Sequence, residues 1–224
     1  MADYILIRSK RKTIALHILS NNLEVRAPLK MPKAEIDKSV ASRGKWIEDK
    51  LRQRAKLPAL RNSFTLGYGD KILYRGNRYQ ILAMNNIHAN FDGKRFCIPP
   101  GLSAEQIKAT CVQVYRLLAK TVLTEKALDF AKKMNVKPAS VKISNAATSW
   151  GSCSSKKSLR FSWRLIMADD DVIDYVVIHE LAHIIEMNHS VRFWAIVNYN
   201  IPDYKERKMR LKALQLKLCA ENWR

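Results

Sequence analysis

The run Val176-Val177-Ile178-His179-Glu180-Leu181-Ala182-His183-Ile184-Ile185 holds the residue types and spacing most suited to chemistry. Two histidines four positions apart share one face of an α-helix, because a turn takes about 3.6 residues. Both imidazoles can then reach a single metal ion, at roughly 2.0–2.1 Å for zinc. A carboxylate directly after the first histidine falls beside such an ion and not on it, so Glu180 is placed to act as general base. The surrounding apolar residues mark the helix as buried, and buried imidazoles need partners for their ring nitrogens. With five His and nine Glu in 224 residues, chance would give this spacing in well under about 1% of such chains.

The third donor lies further along the chain. His189 comes six residues after His183, far enough for the backbone to leave the helix and turn back. The same spacing sets a third histidine on zinc in the metzincins, which carry Gly where this chain has Glu186. Asn188, tolerant of the left-handed conformation, is expected to make the turn here. Glu186 is the rival ligand, but three residues after His183 it is better placed for solvent or for a supporting role. Three neutral nitrogens and a water would make an open, catalytic site with one zinc per chain. His17, in a predicted hairpin, and His88, near a turn, are expected to be structural.

Weaker candidates surround this core. Trp150, Gly151 and Ser152, with Cys153, can form an edge strand against which an extended peptide pairs through its backbone. Equally, Trp150 can be a core anchor and Cys153 a small buried apolar residue. Cys153 is not expected to be a nucleophile, since the nearby histidines are committed to metal. Arg164, Tyr199 and Tyr204 are donors able to face an oxyanion, each with a structural role also open to it. Phe193-Trp194 is expected to pack the following helix onto the histidine helix.

The elements that must position these residues are readable from periodicity. Ile14, Leu16 and Ile18 alternate, Asn21-Asn22 can turn, and Leu23 and Val25 return, which predicts a hairpin. A helix is predicted from Pro32 to about Lys56, with Ile36, Val40, Ile47 and Leu51 on one side. Short alternating runs over Lys71–Tyr74, Arg78–Met84 and Arg95–Ile98, punctuated by glycines, predict an antiparallel meander. Pro99-Pro100-Gly101 is the expected boundary between a β-rich part (1–100) and an α+β part (101–224). Ser103 with Gln106 looks like a capping box opening a long helix to about Met134, stopped near Asn135. Strands are predicted at Ser140–Ile143 and Leu159–Leu165. Asp169-Asp170-Asp171 suits the start of the histidine helix, and further helices are predicted at about 191–199 and 204–220.

Composition narrows the class. Apolar residues at 47% and charged residues at 27% describe a globular chain, and no apolar run approaches the roughly 18 residues that span a bilayer. The N-terminus is the reverse of a secretory signal. Four scattered cysteines without a C-x-x-C pair argue against a disulfide framework and suit a cytoplasmic location. The net charge is +20, with excesses of +8, +4 and +8 in residues 1–56, 57–100 and 101–224. Such a field favours polyanions, nucleic acid or nucleotides among them, unless it is simply a solvated basic surface.

Several segments together resemble one family. Trp150-Gly151-Ser152-Cys153-Ser154, Asp174 through His183, and Asn188-His189-Ser190 with Phe193-Trp194 are similar to the YgjP-like zinc metallopeptidases, relatives of the SprT-like and WLM-type proteases. Arg11-Lys12-Thr13, Val25-Arg26-Ala27-Pro28 and Trp46-Ile47 match as well, so the resemblance spans nearly the whole chain. Met167-Ala168 departs from it where a proline is expected, which touches a loop and not the metal. The resemblance implies an α+β minimal zincin with the HExxH helix in its catalytic part, preceded by a small β-rich part. It implies ligands His179, His183 and His189 and a base at Glu180. The expected function is hydrolysis of a peptide or protein substrate. One alternative is a nucleoside-triphosphate (uridine triphosphate) pyrophosphatase on the same metal, a label the group also carries, although no Gly-rich phosphate loop is present. A second alternative is a nucleic-acid-binding module with a structural metal, which the three-histidine pattern disfavours because structural zinc sites are usually closed by four protein ligands. Oligomeric state is not legible.

Overall fold

The computed structural model describes residues 3–19, 22–85 and 88–223, with side chains described at all of these except 53, 54 and 56–63. The described residues divide into two compact units, Met1–Phe64 and Thr65–Arg224. Six α-helices and three small sheets are present among them, a mixed α+β architecture. No helix among the described residues is long and apolar enough to cross a membrane.

In the first unit, β2 (Ala15–Leu19) and β3 (Asn22–Pro28) pair antiparallel, as the alternation predicts. Asn21, half of the expected turn, lies outside the described residues. A further strand, β1 (Tyr4–Ser9), adds parallel to β3 in register Tyr4↔Leu23. The predicted single helix is two, α1 (Lys33–Ala41) and α2 (Gly44–Ser63). They break at Arg43, whose φ of −113° and ψ of 15° leave the helical region. Ile18, Leu23, Val25, Ala27, Ile36, Val40 and Ile47 form this unit's core.

The second unit contains the four-stranded sheet as well as the long helix. Its strands β4 (Lys71–Tyr74), β5 (Asn77–Ala83), β6 (Asn90–Phe91) and β7 (Arg95–Ile98) run in the order β4-β5-β7-β6. Strands β5 and β7 pair in parallel, so this is not the expected antiparallel meander. The short β6 hairpins onto β7 and lets the chain re-enter in the same direction. Pro99-Pro100-Gly101, the expected boundary, lies inside this unit of Thr65–Arg224. Phe96 of β7 packs on Tyr115 of α3 (Ala104–Lys133), Tyr115 stacks on Trp163, and Trp223 closes the cluster. One aromatic core thus joins the sheet, the long helix and the C-terminal segment. Helix α3 opens on the predicted capping box of Ser103 and Gln106, and Asn135 comes after it with φ of 51°.

The third sheet borders the site through its edge strand. Strands β8 (Ser140–Ser144) and β10 (Ser158–Ser162) are parallel, and β9 (Gly151–Cys153) pairs antiparallel to β10 at the sheet edge. Here the predicted strand Leu159–Leu165 is cut short, because Trp163–Met167 wind into a 3-10 helix with every side chain buried. Helix α4 (Asp170–Ala182) comes next, then α5 (Val191–Asn200) and α6 (Tyr204–Ala220).

Candidate metal centre

Helix α4 is apolar on nearly all sides. Val172, Ile173, Val176, Val177, Ile178 and Leu181 are at most 3% exposed, and the helix packs against α3, α5, α6 and β9. Burying each such side chain contributes about 1.5–3 kcal/mol, so the helix has little freedom to rotate. Its first turn is clamped as well. Arg75 grips Asp170 with two bonds of 2.8 and 2.7 Å, Lys126 of α3 reaches Asp174 at 2.6 Å, and Arg210 of α6 bridges Asp169 and Asp171 at 2.5 Å each. The carboxylates also sit favourably at the positive end of the helix dipole.

This fixed helix brings His179 and His183 to one face, and the chain returns to add His189. One ring nitrogen from each lies within 4.8 Å of the others. Neither Glu186 nor any other described Asp, Glu or Cys joins the group. The turn is made without the expected left-handed Asn188, which is absent from the described non-glycine residues of positive φ. Helix α4 instead tightens at its end. Ala182 O accepts from Ile185 N and Glu186 N, Leu181 O accepts from Ile184 N, and Ser190 N donates back to Asn188 O. Ser190 then caps α5, its hydroxyl accepting from Phe193 N at 3.3 Å.

The ring geometry fits a cation. His183 Nδ1 lies 3.2 Å from Glu186 O, a carbonyl that can only accept. That proton belongs on Nδ1, so the Nε2 lone pair is free. His179 Nε2 and His189 Nε2 face each other at 3.0 Å, and His179 Nδ1 is buried with no partner. Without an ion one of these two Nε2 atoms must donate to the other, whereas a metal ion would take all three lone pairs at once. Tetrahedral zinc asks for nitrogens roughly 3.4 Å apart, within the observed spread. Burial, followed by the neighbouring His183 and His189, pushes the His179 ring down to about 3, which keeps it neutral and ligand-ready. Burial also holds His183 below its ordinary value.

Aromatic packing fixes the ring orientations. Phe193 is fully buried and stacks on His183 with centroids 4.4 Å apart, and Trp194 stacks on His189 at 5.7 Å. Phe193-Trp194 therefore does more than join two helices, since both rings support the histidines directly. Tyr175 also stands edge-on to His179 at 5.9 Å, one helical turn before it, a contact its i, i+4 spacing could have signalled.

Glu180 is 6% exposed, and burial pushes its carboxyl up to about 7. Gly151 of β9 lies against it: a Cβ there would fall 2.6 Å from Glu180 Cγ and 2.7 Å from Oε1. The predicted edge strand thus runs beside Glu180, with Ser152 exposed and both Trp150 and Cys153 half-buried. The remaining candidates are placed apart from one another. Arg164 is 5% exposed, donates to the backbone carbonyls of Trp223, Asn145 and Ala146, and lies over the Trp163 ring. These bonds tie Arg164 to the C-terminal segment and to the loop before β9. Tyr199 is 88% exposed. Tyr204 stacks between Trp194 and Tyr175, at the margin of the histidine cluster.

A family model described as the YgjP-like metallopeptidase domain matches residues 12–214. No curated protein matches the chain. Among solved structures, the metallopeptidase zymogens abylysin of Pyrococcus abyssi and jannalysin of Methanocaldococcus jannaschii are similar at 21% and 19% identity. They cover 41% of this chain and 92% and 94% of their own, with TM-scores of 0.38 and 0.37. Likenesses that loose add nothing to the family match, which takes in the whole three-histidine site. The chain belongs to the YgjP-like metallopeptidase family.

Proposed function

We propose that this protein is a zinc peptidase in which His179, His183 and His189 hold the ion and Glu180 is the general base. The convergence of three imidazole nitrogens within 4.8 Å beside a buried glutamate is the observation that carries this reading. Zinc at that position would supply Lewis acidity toward the scissile carbonyl and acidify a water. The other tasks fall to the chain itself. Strand β9, at the sheet edge, offers backbone groups to an extended peptide and brings its scissile bond past Glu180. Glu180 accepts a proton from the attacking water and passes it to the departing amine. Phe193 and Trp194 hold two of the ligand rings in place, and Tyr175 and Tyr204 extend the aromatic wall. With Arg164 committed elsewhere, no side chain among the three oxyanion candidates is assigned that task.

The test is metal content together with hydrolysis. About one zinc per chain in the wild type is expected, lost in His183→Ala and kept in Glu180→Gln with peptide turnover abolished. An unstructured protein and nucleoside triphosphates serve as parallel substrates. Triphosphate hydrolysis without peptide cleavage would replace the peptidase by a pyrophosphatase on the same residues. Turnover indifferent to Glu180→Gln would overturn the mechanism.

A further inference from the structure

Helix α6 carries Lys205, Lys208 and Lys212 at spacings of three and four residues, which sets them on neighbouring turns of one face. With Trp194, Tyr204 and Met209 they line an open pocket of about 480 Å³. The pocket adjoins the metal centre through a shared wall. Trp194 stacks on His189 at 5.7 Å with its ring also 5.8 Å from His179, and Lys208 Nζ stands 5.1 Å from the Trp194 ring centre. None of the three lysines has a carboxylate partner among the described residues, and Asp203 nearby is turned to Arg207 at 2.9 Å. No carboxylate among the described residues lines the pocket.

Three unneutralised ammonium groups around one concavity call for an anion. The aromatic walls decide which kind. Trp194 is stacked on His189 and on Tyr204 at 5.2 Å and lies under Lys208, while Tyr204 is stacked in turn on Tyr175 at 6.5 Å. With these rings stacked on one another, little face remains for a nucleobase, and base stacking is what single-stranded nucleic acid asks of such a site. A compact carboxylate needs no ring face, and its methylene stem can lie against Met209 and the ring edges.

We infer that this pocket is a substrate subsite that takes an acidic side chain, Asp or Glu, of a peptide bound next to the metal centre. The inference rests on the peptidase reading and names the class of peptide that the site prefers.

The experiment compares the zinc-loaded protein on a neutral fluorogenic peptide with the same peptide carrying one Glu at each successive position. One position is expected to raise kcat/KM about tenfold, the combined effect of partly screened ion pairs, and to lose most of that gain at high salt. The acidic-to-neutral ratio should fall to about 1 in Lys205→Gln/Lys208→Gln/Lys212→Gln and should persist in the corresponding Arg variant, which keeps the charge. A ratio near 1 in the wild type, or a preference unaltered in the Gln variant, overturns the subsite. If no peptide is cleaved at all, the peptidase reading fails separately. The subsite is then decided by fluorescence anisotropy on zinc-loaded Glu180→Gln with the acidic peptide and a single-stranded oligonucleotide. Acidic-peptide binding lost in the lysine-to-glutamine background supports the subsite. Absent peptide binding, or oligonucleotide binding preferred and lost in that background, refutes it.

Discussion

Replacing Gly151 by Ala tests how Glu180 is held. The new Cβ would lie 2.6 Å from Glu180 Cγ, 2.7 Å from Oε1 and 2.8 Å from Cδ. Each distance is most of an ångström inside the roughly 3.5–4.0 Å of ordinary carbon contact. The clash involves the stem of the side chain as well as its tip, so a simple swing of the carboxylate does not relieve it. Retreat is blocked too, since Glu180 is 6% exposed on a helix whose neighbours Val177, Ile178 and Leu181 are at most 1% exposed. Either Glu180 leaves its rotamer or β9 moves outward. Overpacking of this kind costs about 1–3 kcal/mol, and 2 kcal/mol lowers Tm by about 4–8 °C in a domain of this size. Displacing the base by about 1 Å should reduce turnover on the order of 100-fold.

A double-mutant cycle isolates the contact. Thermal unfolding is measured for wild type, Gly151→Ala, Glu180→Ala and the double variant, each loaded with zinc, and peptide turnover is measured for the first two. Without the glutamate side chain the three nearest contacts of the added methyl are gone, and Gly151→Ala should be neutral or slightly stabilising, because glycine in a strand is entropically costly. The expected coupling is about 1.5–2 kcal/mol, with zinc content unchanged throughout. An equal Tm loss in both backgrounds would show that the strain lies in β9 itself. Turnover of Gly151→Ala within about threefold of wild type would show that the close approach of β9 does not position Glu180.

Other outcomes are as definite. Phe193→Ala removes the ring stacked on His183 and should cost about 3–5 kcal/mol by thermal unfolding, with weaker zinc retention in competition with a chromophoric chelator. Gly76 has φ of +78°, and a Cβ there would fall 2.0 Å from Asp169 Oδ1. Gly76→Ala should therefore lower stability by about 2–3 kcal/mol, read from urea unfolding, by loosening the start of α4. Arg210→Met should cost under about 1 kcal/mol at neutral pH, since both its ion pairs are more than a third exposed and screened. Burial raises the Asp171 carboxyl, but Arg210, the Val172 N–H and Arg207 together outweigh it and hold the group below its ordinary value. A depressed carboxylate stabilises above its unfolded pKa of about 3.9 and loses that contribution as pH falls through the folded value. The Tm of the wild type should accordingly drop more steeply than that of Arg210→Met between about pH 4 and pH 2.

How much of this was legible in the sequence depends on how far apart the interacting residues lie along the chain. His179, Glu180 and His183 are fixed by a helical repeat, and His189 by a loop of six residues, so their convergence needed only local geometry. The detail of that loop did not, because the end of α4 can tighten through Ala182 O as readily as it can turn through a left-handed Asn188. The capping box of α3 and the hairpin of β2 and β3 are local in the same sense. Failures collect where the partner is remote. Alternation suggested a strand through Leu165, yet Trp163–Met167 are buried on every side and wind into a 3-10 helix. Arg164 carries a charge that looks like a surface donor until Trp223, 59 residues later, returns to cover it. The parallel pairing of β5 with β7 and the packing of Phe96 on Tyr115 likewise keep the four-stranded sheet within the larger compact unit.

The same distance separates the two levels of the site. First His179, Glu180 and His183 are written as a motif, because one helix and its C-cap present them together. What makes the motif usable is written nowhere locally. The missing Cβ of Gly151 matters only because β9 lies against α4. The lysines of α6 matter only because Trp194 and Tyr204 carry that helix up to the histidines. On the proposed reading, a chain that kept His179-Glu180-x-x-His183 and His189 but placed a side chain at 151 would keep its metal-binding histidines and displace Glu180. Zinc content and turnover should therefore separate cleanly across substitutions of β9 and move together across substitutions of α5, where Phe193 and Trp194 hold the ligand rings themselves.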